Sequence, residues 1–199
     1  SVKPLLAEMQ VALKECYTSG SIVAGNPTSS AEEPRPVTSP TNRHRVIGTC
    51  TNASQADIQQ ALTLASAAQS DWDLLGGDKR ADILEDMAEA LEQERPKLMA
   101  LLTLEAGRTI NDAVSEIRET IDFCRYYALQ ARQHFSCALT LPGPTGEKNQ
   151  LSLHGRGVFF CISPWNFPLA IFTGQIAAAL AAGNPVIANP ADRTPLIAA

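Results

Sequence analysis

Residues that commonly carry chemistry are scarce in this 199-residue chain, and each scarcity excludes something. Its five cysteines (Cys16, Cys50, Cys124, Cys137, Cys161) are odd in number, and no two form a CxxC pair. A disulfide framework or a zinc site is therefore not expected, and reduced thiols in a cytoplasmic protein are the simpler reading. The three histidines (His44, His134, His154) are scattered without ligand spacing, so no metal is expected. Neither GxGxxG nor GxxxxGK[ST] occurs, which removes the glycine-rich phosphate cradles. Positive charge is not in excess: 16 Lys and Arg stand against 21 Asp and Glu, for a net charge of −5. That balance offers nothing to nucleic acid or to an anionic membrane surface. The opening SVKPLLAEMQVALKE lacks the basic start and apolar core of a secretory signal.

Charge disappears altogether between residues 157 and 191. A membrane span must be weighed for such a stretch. Pro164, Asn166, Pro168, Asn184 and Pro185 interrupt it, however, and no apolar run of about twenty residues survives. A buried β-α-β unit fits better, with GVFFCI as first strand, Pro168 to Ala182 as helix and PVIAN as second strand. Continuous apolar strands around an apolar helix mark a parallel sheet covered on both faces. The overall composition, 45% hydrophobic and 19% charged, is that of a globular protein rather than a disordered one.

Upstream, residues 1–15 read as a short helix. Residues 19–40, rich in Gly, Pro, Ser and Thr, read as loop or linker. Arg45 to Thr51 is a plausible strand. Four helices follow. Ser54 with Asp57 forms a capping box for the first, whose apolar face carries Ile58, Ala61, Leu62, Ala65 and Ala68. Asp78 is the expected cap of the second, with Ile83, Leu84, Met87, Ala88 and Leu91 on its inner face. The third has Pro96 in its first turn and ends near Gly107. The fourth repeats Val114, Ile117, Ile121, Cys124 and Ala128 at helical spacing, and Glu116 and Glu119 are assigned to its solvated face. Residues 141–156 are turn-rich and then alternate, as an extended arm or hairpin does.

The turn Ser163-Pro164-Trp165-Asn166-Phe167-Pro168 leaves the C-terminal end of a parallel strand, the edge at which open α/β sheets hold ligands. The Asn166 amide is placed either to donate to a substrate oxygen or to cap the next helix. The second strand runs into Asn189-Pro190-Ala191-Asp192 at the same edge. Asp192 is either an acceptor for ribose hydroxyls or a helix cap. Cys161, inside an apolar strand with no charged neighbour, reads as a small core residue.

The stretch GRGVFFCISPWNFPLAIFTGQIAAALAAGNPVIANPADRTPLIAA resembles the aldehyde dehydrogenase superfamily, above all in PWNFP and in the later GN…P-A-x-x-T-P segment. LPGPTGEKNQLSLHGRGVFFCISPWNFPLAIFTGQ is similar to one branch of it. That branch is the pyrroline-5-carboxylate dehydrogenase part of the bacterial bifunctional proline-utilisation flavoenzymes, in which a proline dehydrogenase module with FAD precedes this region. The resemblance implies an α/β fold: N-terminal helices and the start of a parallel Rossmann-like sheet. It divides the chain into a helical segment with an early strand pair (1–137), an extended oligomerisation arm (138–156), and the first β-α-β of the NAD-binding core (157–199).

Matched position by position, the resemblance implies that Asn166 helps form an oxyanion hole. Ile162, Ser163, Pro164 and Trp165 would line the nicotinamide and ribose part of the NAD site, Asp192 would contact the adenosine ribose, and Phe167 would lie near the aldehyde tunnel. Asn189 stands where the family usually has a lysine. The implied cofactor is NAD, the implied partners a small aldehyde and further copies of the chain. The implied reaction is oxidation of glutamate semialdehyde to glutamate, and the alternative is a non-catalytic scaffold for assembly. The nucleophilic cysteine and general-base glutamate are expected beyond residue 199. The last residues read as the start of an apolar helix within a longer polypeptide, so the 199 residues alone are expected to be inactive.

Overall fold

A computed structural model describes residues 2–28 and 32–199. The part of the linker reading that falls on residues 29–31 lies outside the described residues, as does residue 1. The helical layer consists of α1 (Val2–Ala12), α2 (Gln55–Leu74), α3 (Gly77–Gln93), α4 (Arg95–Glu105) and α5 (Ile110–Phe135). Its organising element is α5, whose buried residues Ala113, Ile117, Ile121, Cys124, Ala128 and Ala131 recur every three or four positions. Met99, Leu102 and Ile117 lie in one apolar core and Leu84 in a second one, with Ala128, Ala131, Ala177 and Ala181; each of the four named first is 1% exposed or less. Each such Leu or Ile contributes about 1.5–3 kcal/mol on leaving water.

The caps differ in one place from the sequence reading. Ser54 and Asp57 form the expected reciprocal capping box at the start of α2. At α3 the N-cap is Gly76 (φ 85°, ψ 161°), and Asp78 lies inside the first turn, where it accepts from Ser136 Oγ at 2.7 Å. A left-handed φ favours glycine, so the chain reverses before Asp78 and starts the helix early. Gly77 is then pressed onto α5: a Cβ there would stand 2.2 Å from the Ala131 carbonyl oxygen. The predicted apolar faces are also only partly buried. Ile58 and Leu62 on α2 and Ile83 on α3 remain over 40% exposed; Ile58, with Ala61, Ala65 and Ala68, lines an open cleft.

The described residues of this stretch, 19–28 and 32–40, are not a linker. They carry β2 (Ile22–Val23), β3 (Asn26–Pro27) and β4 (Arg35–Ser39). With β1 (Tyr17–Ser19) and β5 (Asn42–Cys50), the described residues up to 137 hold five strands rather than one early pair. β5 is central in the order β1-β5-β4, parallel to β1 and antiparallel to β4. Pro36 is tolerated because β4 is an edge strand, where a missing N–H breaks no inner ladder. β6 (Leu139–Leu141) and β7 (Asn149–Leu151) form an antiparallel hairpin with its apolar residues Leu139 and Leu151 largely exposed.

β8 (Phe159–Ile162) and β9 (Val186–Asn189) pair in parallel, joined by α6 (Ala170–Ala181). Of the predicted helix, Pro168 and Leu169 belong to the entering turn. Three polar side chains clamp the far end of α6 to the helical layer. Arg80, 1% exposed, donates to the carbonyls of Ala181, Trp72 and Asp73, the C-terminal ends of α6 and α2. A cation there complements two helix dipoles at once. Trp72 Nε1 donates to Leu180 O, and Gln69 Nε2 to Gly183 O. α6 is thereby fixed before its N-terminal turn reaches the sheet edge. No described helix is long and apolar enough to cross a membrane.

Candidate active site

The parallel register sets Ile162 beside Asn189, and Ser163 N donates to Asn189 O at 3.1 Å. The two strand ends thus meet at one edge, and the polypeptide leaves each in an ordered turn. Ser163 is buried, and its Oγ donates to Pro164 O at 3.2 Å. Ile162 and Trp165 are about 60% exposed on the rim, at 60% and 58%. Asn166 is exposed, and its side chain makes no hydrogen bond to the described residues. The N-cap of α6 is Leu169, without a side-chain cap bond. The capping role weighed for Asn166 is therefore not the one its side chain performs here, which leaves the amide facing solvent at the sheet edge.

Asp192 is likewise no helix cap. Its Oδ1 accepts from Arg35 at 2.7 Å, and the same guanidinium holds the Asp192 carbonyl at 2.7 Å. Oδ2 has no partner among the described residues, and the side chain is 85% exposed. The Asn189 side chain is exposed and has no hydrogen bond to the described residues. Asn189 and Asp192 border a cleft of about 650 Å³ between α2 and β9, on which residues 162–167 do not open. The proposed site residues therefore fall on two connected surfaces: the PWNFP turn, and the strand end with its cleft.

Beneath the turn lies a group that the sequence reading did not assign. The Arg108 guanidinium donates to the Asn166 carbonyl, sits 4.5 Å from the centre of the Phe167 ring, and pairs with Glu116, Nε to Oε2 3.2 Å. That last contact is an ion pair outside good hydrogen-bond geometry, since Oε2 makes no hydrogen bond. Glu116 is not on a solvated face. It is 2% exposed, and its Oε1 accepts from the amides of Leu169 (3.0 Å) and Ala170 (3.4 Å) at the start of α6. Burial pushes its carboxyl above the ordinary range, against the pull of those amides and of Arg108. Its position should have betrayed it: residue 116 falls on the stripe that runs 113, 117, 120, 124, and a charge on a buried stripe has a partner.

Glu105 does the same for the second strand's exit. It is 4% exposed and accepts from Leu196 N at 2.7 Å and Ile197 N at 2.8 Å. Burial raises its pKa to about 7, although the two amides and Arg35 favour the charged form. Among the thiols, Cys124 and Cys161 are buried and their pKa values are raised by burial, to about 11 for Cys124. Cys161 is thus the inert core residue expected of it. No group of three or more potential metal ligands clusters among the described residues.

The aldehyde dehydrogenase family model matches residues 27–199, and the chain belongs to that family. The bifunctional protein PutA of Klebsiella aerogenes is 47% identical over 167 residues, 84% of this chain but 12% of its own length. The crystal structure of proline utilization A from Bdellovibrio bacteriovorus superposes with TM-score 0.93 at 30% identity, over 98% of this chain and 20% of that one. The 1-pyrroline-5-carboxylate dehydrogenase from Thermus, solved with bound NAD, gives TM-score 0.90 at 29% identity over 96% of this chain and 38% of that one. The fold is accordingly the α/β arrangement of an aldehyde dehydrogenase, with N-terminal helices leading into a parallel sheet. The chain spans about an eighth of the PutA relative.

Proposed function

We propose that this chain forms the cofactor floor and the oxyanion side of the active site of an NAD-dependent aldehyde dehydrogenase. The proposed reaction converts glutamate semialdehyde, the open form of pyrroline-5-carboxylate, to glutamate. The observation that carries the reading is the unengaged Asn166 amide, exposed on a braced turn at the C-terminal edge of a parallel strand pair. The substrate assignment is supported by the names of the relatives.

The residues at the second strand end fit a dinucleotide ribose. Asp192 keeps one carboxylate oxygen unclaimed by the described residues, and Asn189 borders the same cleft. These two would hold the ribose, and Ile162, Ser163, Pro164 and Trp165 would line the nicotinamide end. Bound NAD supplies the hydride acceptor. The chain's own part in the chemistry is electrostatic. As a thiolate adds to the aldehyde carbon, negative charge grows on the oxygen, and the Asn166 side-chain N–H donates to it. A preorganised donor of this kind stabilises the transition state more than the ground state. Phe167 borders the approach of the aldehyde. The thiolate and the base that activates the hydrolytic water are assigned to residues outside these 199, so the stretch by itself is inactive on this reading.

The experiment is Asn166→Ala in the complete polypeptide, with NADH formation measured. A fall in kcat of about a hundred- to a thousandfold with little change in NAD affinity is expected for loss of one oxyanion donor. A kcat within threefold of the unmodified protein sinks the assignment.

A further inference from the structure

We propose that Arg108 is a positioning residue for Asn166, acting with Glu116 as a brace that sets the height and tilt of the PWNFP turn. The inference rests on the functional reading of Asn166 above.

Arg108 is itself held on both sides. Gly107, at φ 67°, ends α4, and Arg108 N donates back to Leu102 O at 3.1 Å. The next residue, Thr109, caps α5 by accepting from Asp112 N. The Arg108 backbone is thus pinned between two helix caps, and its guanidinium projects from a rigid joint. Its planar group meets three different requirements: an N–H for the Asn166 carbonyl, a positive charge for Glu116, and a flat face for the Phe167 ring. No lysine meets all three, because an ammonium has no plane and no fork.

Glu116 closes the loop. One of its oxygens faces Arg108, and the other holds the amides of Leu169 and Ala170. Residue 166 is therefore fastened by Arg108, and residues 169 and 170 by Glu116, from one helical layer. Among the described residues no hydrogen bond orients the Asn166 side chain, so the peptide that carries it is set from below. A shift of about 1 Å at a reacting group can cost about a hundredfold in rate.

The test is a double-mutant cycle in the complete polypeptide with pyrroline-5-carboxylate and NAD. Arg108→Met keeps the bulk of the stem and removes the guanidinium. It is expected to lower kcat about ten- to a hundredfold, with NAD affinity unchanged. Combined with Asn166→Ala, it should add little further loss, because Arg108 acts through that residue. Arg108→Lys, which preserves the charge, should fall between the unmodified protein and Arg108→Met. It replaces Arg108→Met in the cycle if the latter does not fold. Losses that multiply in the double variant overturn the inference, as does an Arg108 variant with unchanged kcat beside an impaired Asn166→Ala. Full activity in Asn166→Ala sinks the functional reading itself, and the inference with it.

Discussion

Replacing Glu105 by glutamine sets two opposed effects against each other, and pH decides between them. In the native protein the carboxylate is buried and accepts both the Leu196 and Ile197 amides, one on each oxygen. Its pKa in the fold is about 7 against an ordinary 4.5. The folded state therefore binds the proton more tightly than the unfolded state does. Stability from this group is fully present below pH 4.5 and is lost as pH rises through about 7. That gap between the unfolded and folded values is worth about 3 kcal/mol. Glutamine keeps one carbonyl oxygen but turns an NH₂ toward the second amide, which costs about 1–3 kcal/mol at every pH. The variant should hold residues 196–197 less firmly at pH 5 and at least as firmly at pH 8.

Amide hydrogen exchange of a peptide covering residues 194–199, corrected for the intrinsic pH dependence, reads this locally. Protection in the unmodified protein should fall by about a hundredfold from pH 5 to pH 8, following the linkage just given. In Glu105→Gln it should stay flat, so that the two curves cross. Parallel curves would mean that Glu105 does not titrate between those limits, and that its burial does not govern its charge.

The other expectations concern the cofactor and assembly. Asn189→Lys should tighten NAD binding by about three- to thirtyfold, because a charged donor contributes about 0.6–2 kcal/mol more than a neutral one at a ribose. Equal affinities by calorimetric titration would show that the side chain at 189 does not face the ribose. Deleting residues 138–156, the segment with the exposed β6–β7 hairpin, should reduce the mass of the native assembly in light scattering, since a free strand edge calls for a partner strand. An unchanged mass in a folded deletion variant would end that assignment.

Local chemistry was readable where one short segment decides the outcome. The Ser54–Asp57 capping box needs four residues, and the charge-free run from 157 to 191 announces the order strand, helix, strand; its burial is not as expected, since β8 has only Cys161 buried and β9 is half-buried to exposed in these residues. β4 escaped because Pro34, Pro36 and Ser39 resemble a loop until β5 supplies the ladder partner. The same limit hid the supports of the site. Arg108 meets Asn166 across 58 residues, and Glu105 meets Leu196 across 91. No periodicity reports such pairs. Glu116 was misplaced for a related reason: a stripe wide enough to face both a core and an incoming turn buries positions at its margin that a narrow stripe leaves wet.

Glu105, Arg108 and Glu116 lie within twelve consecutive positions that include the joint between α4 and α5. Through them the joint grips the exits of both parallel strands. A surface joint of this sort would ordinarily accept insertions and deletions. Here one added residue would rotate α5 by about 100° relative to α4. Glu116 would leave the α6 amides while Glu105 kept its hold on residues 196 and 197, and the two strand exits would lose their common reference. The length of this joint is consequently under tighter constraint than its composition, and natural variants of the stretch should differ here by substitution far more readily than by gain or loss of a residue.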